Sequence, residues 1–111
     1  LSAGDRVVLS DRLYGKSAKL VRQELKRFGV TATAVDTCDL DAVRTALASG
    51  PARLVFVETL SNPLCRACDL GAVAELSHAA GAKLIVDNTF PTPVLCRPLA
   101  LGADVVVESL T

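Results

Sequence analysis

Leu84-Ile85-Val86-Asp87-Asn88-Thr89-Phe90-Pro91-Thr92-Pro93 is the stretch that decides the fold. Its first three residues are apolar without alternation, the pattern of a strand buried on both faces of a parallel sheet. A carboxylate and turn-forming polar residues follow at once, and the two prolines forbid an immediate helix, so a stiff loop is expected there. Working outward, four more runs of this kind appear at Arg6 to Ser10, Ala32 to Val35, Leu54 to Val57 and Val105 to Val107.

The segments between them carry helical spacing. The first sets Ala18, Val21, Leu25 and Phe28 on one stripe with Gly29 as its stop. The second starts from Asp39 as N-cap, places Leu40, Val43 and Leu47 on one face and ends at Gly50-Pro51. The third runs from Asp69 through Leu70, Val73, Leu76 and Ala80 to Gly81, and a short helix is expected near Pro98 to Leu101. Strand and helix alternating with short connections give an α/β fold, a doubly wound parallel sheet.

Composition narrows the function. Lys plus Arg and Asp plus Glu both total 12, so no basic footprint points to nucleic acid or an anionic membrane. No apolar run is long enough to span a bilayer, and a cytoplasmic protein is the expectation. Cys38, Cys65, Cys68 and Cys96 read as reduced thiols; Cys65-Arg66-Ala67-Cys68 has the spacing of a redox pair or half a zinc site, but no second pair completes a tetrad. The opening Leu1-Ser2-Ala3-Gly4-Asp5 and the closing Ser109-Leu110-Thr111 read as internal positions of a longer chain, so residues 1–111 are expected to form one partial domain.

In an open parallel sheet, ligands sit beyond the carboxyl ends of the strands. Those ends supply Tyr14, Asn62, Asp87, Thr89, Ser109 and Thr111. A carboxylate ending an apolar strand needs compensation, which a protonated ring nitrogen provides; the alternative is that Asp87 caps the following turn. Tyr14 has a ring able to stack on a flat heterocycle or simply to pack, and the hydroxyls of Ser109 and Thr111 suit a phosphate.

Four successive loops carry a family resemblance: Gly4-Asp5 with Leu13-Tyr14-Gly15; Glu58-Thr59-Leu60-Ser61-Asn62-Pro63; Val86-Asp87-Asn88-Thr89-Phe90 with Thr92-Pro93 and Cys96-Arg97-Pro98; and Gly102-Ala103-Asp104 leading to Ser109-Leu110-Thr111. Over essentially its whole length the chain resembles the Cys/Met-metabolism, or trans-sulfuration, enzymes that depend on pyridoxal 5'-phosphate (PLP). That family includes cystathionine γ-synthase, the cystathionine lyases, methionine γ-lyase and the O-acylhomoserine sulfhydrylases. Two departures are Lys16-Ser17, where many members have Gly-Thr, and Leu110, where Ala is common.

The resemblance implies part of the large PLP-binding domain of a fold-type I, aspartate-aminotransferase-like enzyme. It implies that Tyr14 stacks on the cofactor ring and assists proton transfer at the leaving group, and that Asp87 pairs with the pyridine nitrogen. By the same resemblance Asn62 contacts the cofactor's phenolic oxygen, Thr89 lies beside the ring, and Ser109 and Thr111 bind the phosphate. The Schiff-base lysine is expected directly after Thr111, so the 111 residues alone are expected to be inactive. Small amino-acid substrates and a homotetramer built from paired subunits are implied for the parent.

A rival of another class is a non-catalytic flavodoxin-like or receiver-type module, in which Asp36, Glu58, Asp87 and Glu108 hold Mg²⁺. A nucleotide-binding Rossmann domain is disfavoured because Ser10-Asp11-Arg12-Leu13-Tyr14-Gly15 lacks the glycine pattern.

Overall fold

The computed structural model describes residues 1–110, so Thr111 lies outside the described residues. Five parallel strands form one sheet: β1 (Arg6–Ser10), β2 (Thr31–Val35), β3 (Leu54–Glu58), β4 (Lys83–Asp87) and β5 (Val105–Val107). Their spatial order is β2-β1-β3-β4-β5. The chain winds one way from β1 to β2 and the other way from β3 to β5, which places a topological switch point between β1 and β3.

Helices cover both faces. Helix α2 (Leu40–Ala48) and helix α3 (Leu70–Ala79) pack Val43, Leu47, Leu70 and Val73 on Val8, Val55, Val57, Leu84 and Val86, all buried. On the opposite face Val7, Leu9, Leu13, Val21 and Val30 form a second core. Each fully buried Val or Leu contributes roughly 1.5–3 kcal/mol, so the two layers are the main source of cohesion. Both N-caps act as the sequence indicates: the Asp39 side chain accepts from Asp41 N and Ala42 N, and Asp69 from Ala72 N.

Four details differ from the sequence expectation. The strands are not all buried on both faces: β2 and β5, at the two edges of the sheet, bury no residue, and β3 and β4 bury alternate ones. The first helical segment is not uniform: α1 (Gly15–Lys19) runs into a π-type turn, Leu20–Glu24, and a 3₁₀ turn, Leu25–Phe28. That change of pitch rotates Phe28 off the stripe, and it is 71% exposed while Val21 is buried. The segment still ends at Gly29, whose φ of +80° needs a glycine. Helix α3 stops at Ala79, so Ala80 is its exposed C-cap rather than a member of the apolar face. After β4 a four-residue helix, α4 (Thr92–Leu95), does form; Pro93 is tolerated because first-turn N–H groups have no intrahelical acceptor. The 3₁₀ turn Pro98–Leu101 lies where a short helix is expected. It ends at Gly102, where an added Cβ would meet Ala74 Cβ at 2.8 Å, so this turn packs tightly on α3.

The end of the sheet away from the strand-end loops is tied by Asp104, which accepts from Lys83 Nζ and Leu84 N and pairs with His78 Nε2, each at 2.8 Å. Lys83, then the Leu84 N–H, then His78 hold its carboxyl well below the usual carboxylate range. A carboxyl with a depressed folded pKa contributes stability above its unfolded pKa and loses it as pH falls through the folded value. Asp104→Asn is therefore expected to lower the melting temperature near pH 7, with the gap to wild type narrowing toward about pH 2. A gap independent of pH would contradict this.

Candidate active site

Alternation along the strands decides which side chains face the cleft. Leu54, Phe56 and Glu58 of β3 project to the face that carries α1, and their register partners in β4 are Lys83, Ile85 and Asp87. Helix α1 covers the β1 side of this face, while Val105 and Val107 of β5 remain almost half exposed. The result is a cleft of about 230 Å³ at the carboxyl ends of the strands, beside the switch point.

Five residues singled out by sequence line it together: Tyr14, Asn62, Asp87, Thr89 and Ser109. They come from four separate loops, after β1, β3, β4 and β5. Glu58, Leu60 and Phe90 complete the lining. Thr111, the sixth, lies outside the described residues.

A chain of hydrogen bonds links three of these groups. Asp87 Oδ1 accepts from Thr89 N at 3.0 Å and from Thr89 Oγ1 at 2.6 Å. Thr89 Oγ1 in turn accepts from Ser109 N at 3.0 Å. Asp87 does cap the turn after its strand, then, and both of these bonds fall on a single oxygen. Tyr14 stands at the N-cap of α1 with half its surface exposed, and its N–H donates to Glu58 Oε1 at 2.8 Å. Asn62 sits in a tight loop closed by Ser61 N to Arg66 O at 3.1 Å, Cys65 N to Ser61 O at 2.8 Å and an isolated bridge between Leu60 and Ala67. Arg66 anchors that loop to the β2 end through Asp36, at 2.7 Å.

Beneath the cleft lies a polar knot that the sequence does not single out. Asn88 is fully buried; its Oδ1 accepts from Thr59 Oγ1 at 2.8 Å, and its Nδ2 donates to Cys96 O and Glu108 Oε1, both at 3.0 Å. The Asn88 N–H continues the ladder to Val107 O at 2.9 Å. One amide thus fixes the ends of β3, β4 and β5 relative to one another.

Two of the four cysteines make packing contacts through their thiols. Cys38 Sγ donates to Ala67 O at 3.3 Å and Cys68 Sγ to Thr37 O at 3.4 Å, each thiol meeting the carbonyl just before the other cysteine. Burial pushes the Cys68 thiol up to about 12. Among the described residues no group of three or more His, Cys, Asp or Glu side chains could hold a metal ion. Of the four strand-end carboxylates, Asp36 is engaged by Arg12 and Arg66, and Glu108 by Asn88.

The model of the Cys/Met metabolism PLP-dependent enzymes matches residues 1–111. The chain belongs to that family. Among curated trans-sulfuration relatives, the chloroplastic cystathionine β-lyase of Mimosa pudica is 43% identical over 97% of this chain and 23% of its own length. The cystathionine γ-synthase of Mycobacterium tuberculosis is 46% identical over 100% of this chain and 28% of its own length. The solved cystathionine γ-lyase of Lactobacillus plantarum, complexed with L-serine, superposes with a TM-score of 0.93 at 42% identity, covering 98% of this chain and 28% of that one. The chain therefore spans less than a third of the length of these PLP-dependent relatives.

The residues present fit the family's cofactor. An aromatic ring, an amide, two neighbouring carboxyl groups and strand-end hydroxyls line one cleft, and Glu58 Oε2 is buried there without a hydrogen-bond partner among the described residues. Asn88→Leu should lower the unfolding free energy by at least about 1–3 kcal/mol, the cost of stranding one buried polar partner. A chemical-denaturation midpoint equal to wild type would show that the knot is not holding the strand ends.

Proposed function

We propose that the intact protein is a trans-sulfuration enzyme that eliminates or replaces a group at Cβ or Cγ of a sulfur-containing or O-acylated homoserine amino acid. The observation that carries this reading is the meeting of Tyr14, Asn62, Asp87, Thr89 and Ser109 in one strand-end cleft. PLP, when bound, supplies an electron sink for the carbanion formed at the substrate's α-carbon.

This chain's residues do the rest. The Asp87 carboxylate would keep a proton on the ring nitrogen, and its bonds to Thr89 restrict how it turns. Tyr14 would stack on the ring and move a proton at the leaving group, with its main chain fixed by Glu58. The Asn62 amide would contact the phenolic oxygen, Thr89 would flank the ring, and Ser109 and Thr111 would hold the phosphate. A lysine, expected directly after Thr111, would anchor the cofactor covalently. In this reading the intact protein is a cytoplasmic homotetramer with each active site shared between two subunits, and residues 1–111 alone turn over no substrate. The magnesium-binding alternative is weakened because Asp36 and Glu108 are committed to Arg66 and Asn88.

Borohydride reduction of the intact protein followed by peptide mass mapping should find a pyridoxyl group on the residue after Thr111. Asp87→Asn should retain the fold and lose about 10²-fold or more in kcat/KM, the scale for removing one preorganised electrostatic partner. No pyridoxyl adduct, together with an undiminished Asp87→Asn rate, would sink the assignment.

A further inference from the structure

Glu58 is a cleft residue with an unfilled role. It is the register partner of Asp87, and register partners in a parallel pair project to the same face with strands about 4.8 Å apart. Two carboxyl groups therefore stand side by side in the lining of one cleft. Two carboxylates in that relation disfavour each other's charge unless a proton or a cation intervenes.

Among the described residues the lining of the cleft supplies no cation. The ionisable side chains lining the cleft among the described residues are Tyr14, Glu58 and Asp87. On the β1 side, Arg12 pairs with Asp11 at 3.7 Å and with Asp36 at 3.9 Å. Glu58 Oε1 accepts from the Tyr14 N–H, while Oε2 is buried with no partner among the described residues.

We propose that Glu58 is a second carboxyl of the cofactor seat, which holds a proton on Oε2 while the seat is empty and releases it when a cationic pyridine ring settles beside Asp87. This deepens the PLP reading and rests on it. The O–H bond at Oε2 breaks, the proton goes to bulk water, and the carboxylate left behind faces the ring's positive charge. Oε1 keeps the Tyr14 main chain in place in both states. Burial pushes the Glu58 carboxyl above its ordinary value and the Asp87 carboxylate adds to this, against the lowering effect of the Tyr14 N–H. A cation in the cleft acts in the opposite direction.

The test uses the intact apoprotein and 4′-deoxypyridoxine 5′-phosphate, which has the ring and phosphate but no aldehyde, so no bond to lysine enters. Its affinity is measured against pH for wild type and Glu58→Gln, which keeps an acceptor for Tyr14 and never titrates. Protonation of the free probe is common to both proteins and cancels in the ratio of the two affinities. That ratio should rise with pH in favour of wild type, by about tenfold for each unit by which the ring lowers the Glu58 pKa.

The empty protein gives a second readout. A carboxyl with a raised folded pKa contributes stability below its unfolded pKa and loses it as pH rises through the folded value. The melting temperature of apo Glu58→Gln relative to wild type should accordingly climb with pH. If both proteins bind the probe with a pH-independent ratio, the proposal is overturned and the cofactor reading stands; if neither binds it, both fall. Should Glu58→Gln not fold, infrared difference spectroscopy of wild type decides, with loss of a protonated-carboxyl C=O band on probe binding expected and no such loss overturning the proposal.

Discussion

Parallel, residue-for-residue pairing of Leu54–Glu58 with Lys83–Asp87 is the constraint on which both the core and the cleft rest. Because side chains alternate along each strand, one register buries Val55, Val57, Leu84 and Val86 against α2 and α3 and brings Glu58 and Asp87 together on the other face. A slip by one residue would send the carboxyls into the apolar layer and the valines into the cleft. The hydrophobic effect therefore sets the position of the charged groups. The Asn88 knot locks the same register at the strand ends, where the apolar core stops.

From that base the cleft follows by topology. Winding in opposite directions from β1 and β3 leaves a crevice at the switch point, and four short loops empty into it. Their side chains are ordered by one another: Thr89 joins Asp87 to Ser109, and Glu58 holds Tyr14. Such mutual support keeps a binding surface in place without a ligand, which lowers the cost of ordering when one arrives.

Much of this was legible in the residues. Apolar, β-branched runs marked all five strands, although only β1 is buried at successive residues, and Asp39 and Asp69 marked two helix starts by their capping chemistry. The first helical segment was less legible, since a 3.6-residue stripe presumes uniform pitch and the turns after Lys19 depart from it. Phe28 consequently faces solvent. Asn88 gives no periodic signal, as its role depends on three partners distant in sequence. Glu58 shows in the sequence as one of four strand-end carboxylates and as the first residue of a loop carrying the family resemblance; what sets it apart is the β3–β4 register and the Tyr14 N–H, neither of which a linear pattern carries.

The proposal on which the rest turns is that the strand-end cleft would seat a flat cationic ring stacked on Tyr14 with its nitrogen at the Asp87 carboxylate. A crystal structure of the intact protein with its cofactor tests it most directly. The account predicts the pyridine nitrogen within hydrogen-bond distance of Asp87, the ring stacked on Tyr14 and the phosphate against Ser109. A ring nitrogen directed away from Asp87, or a cofactor bound outside the cleft, would contradict it.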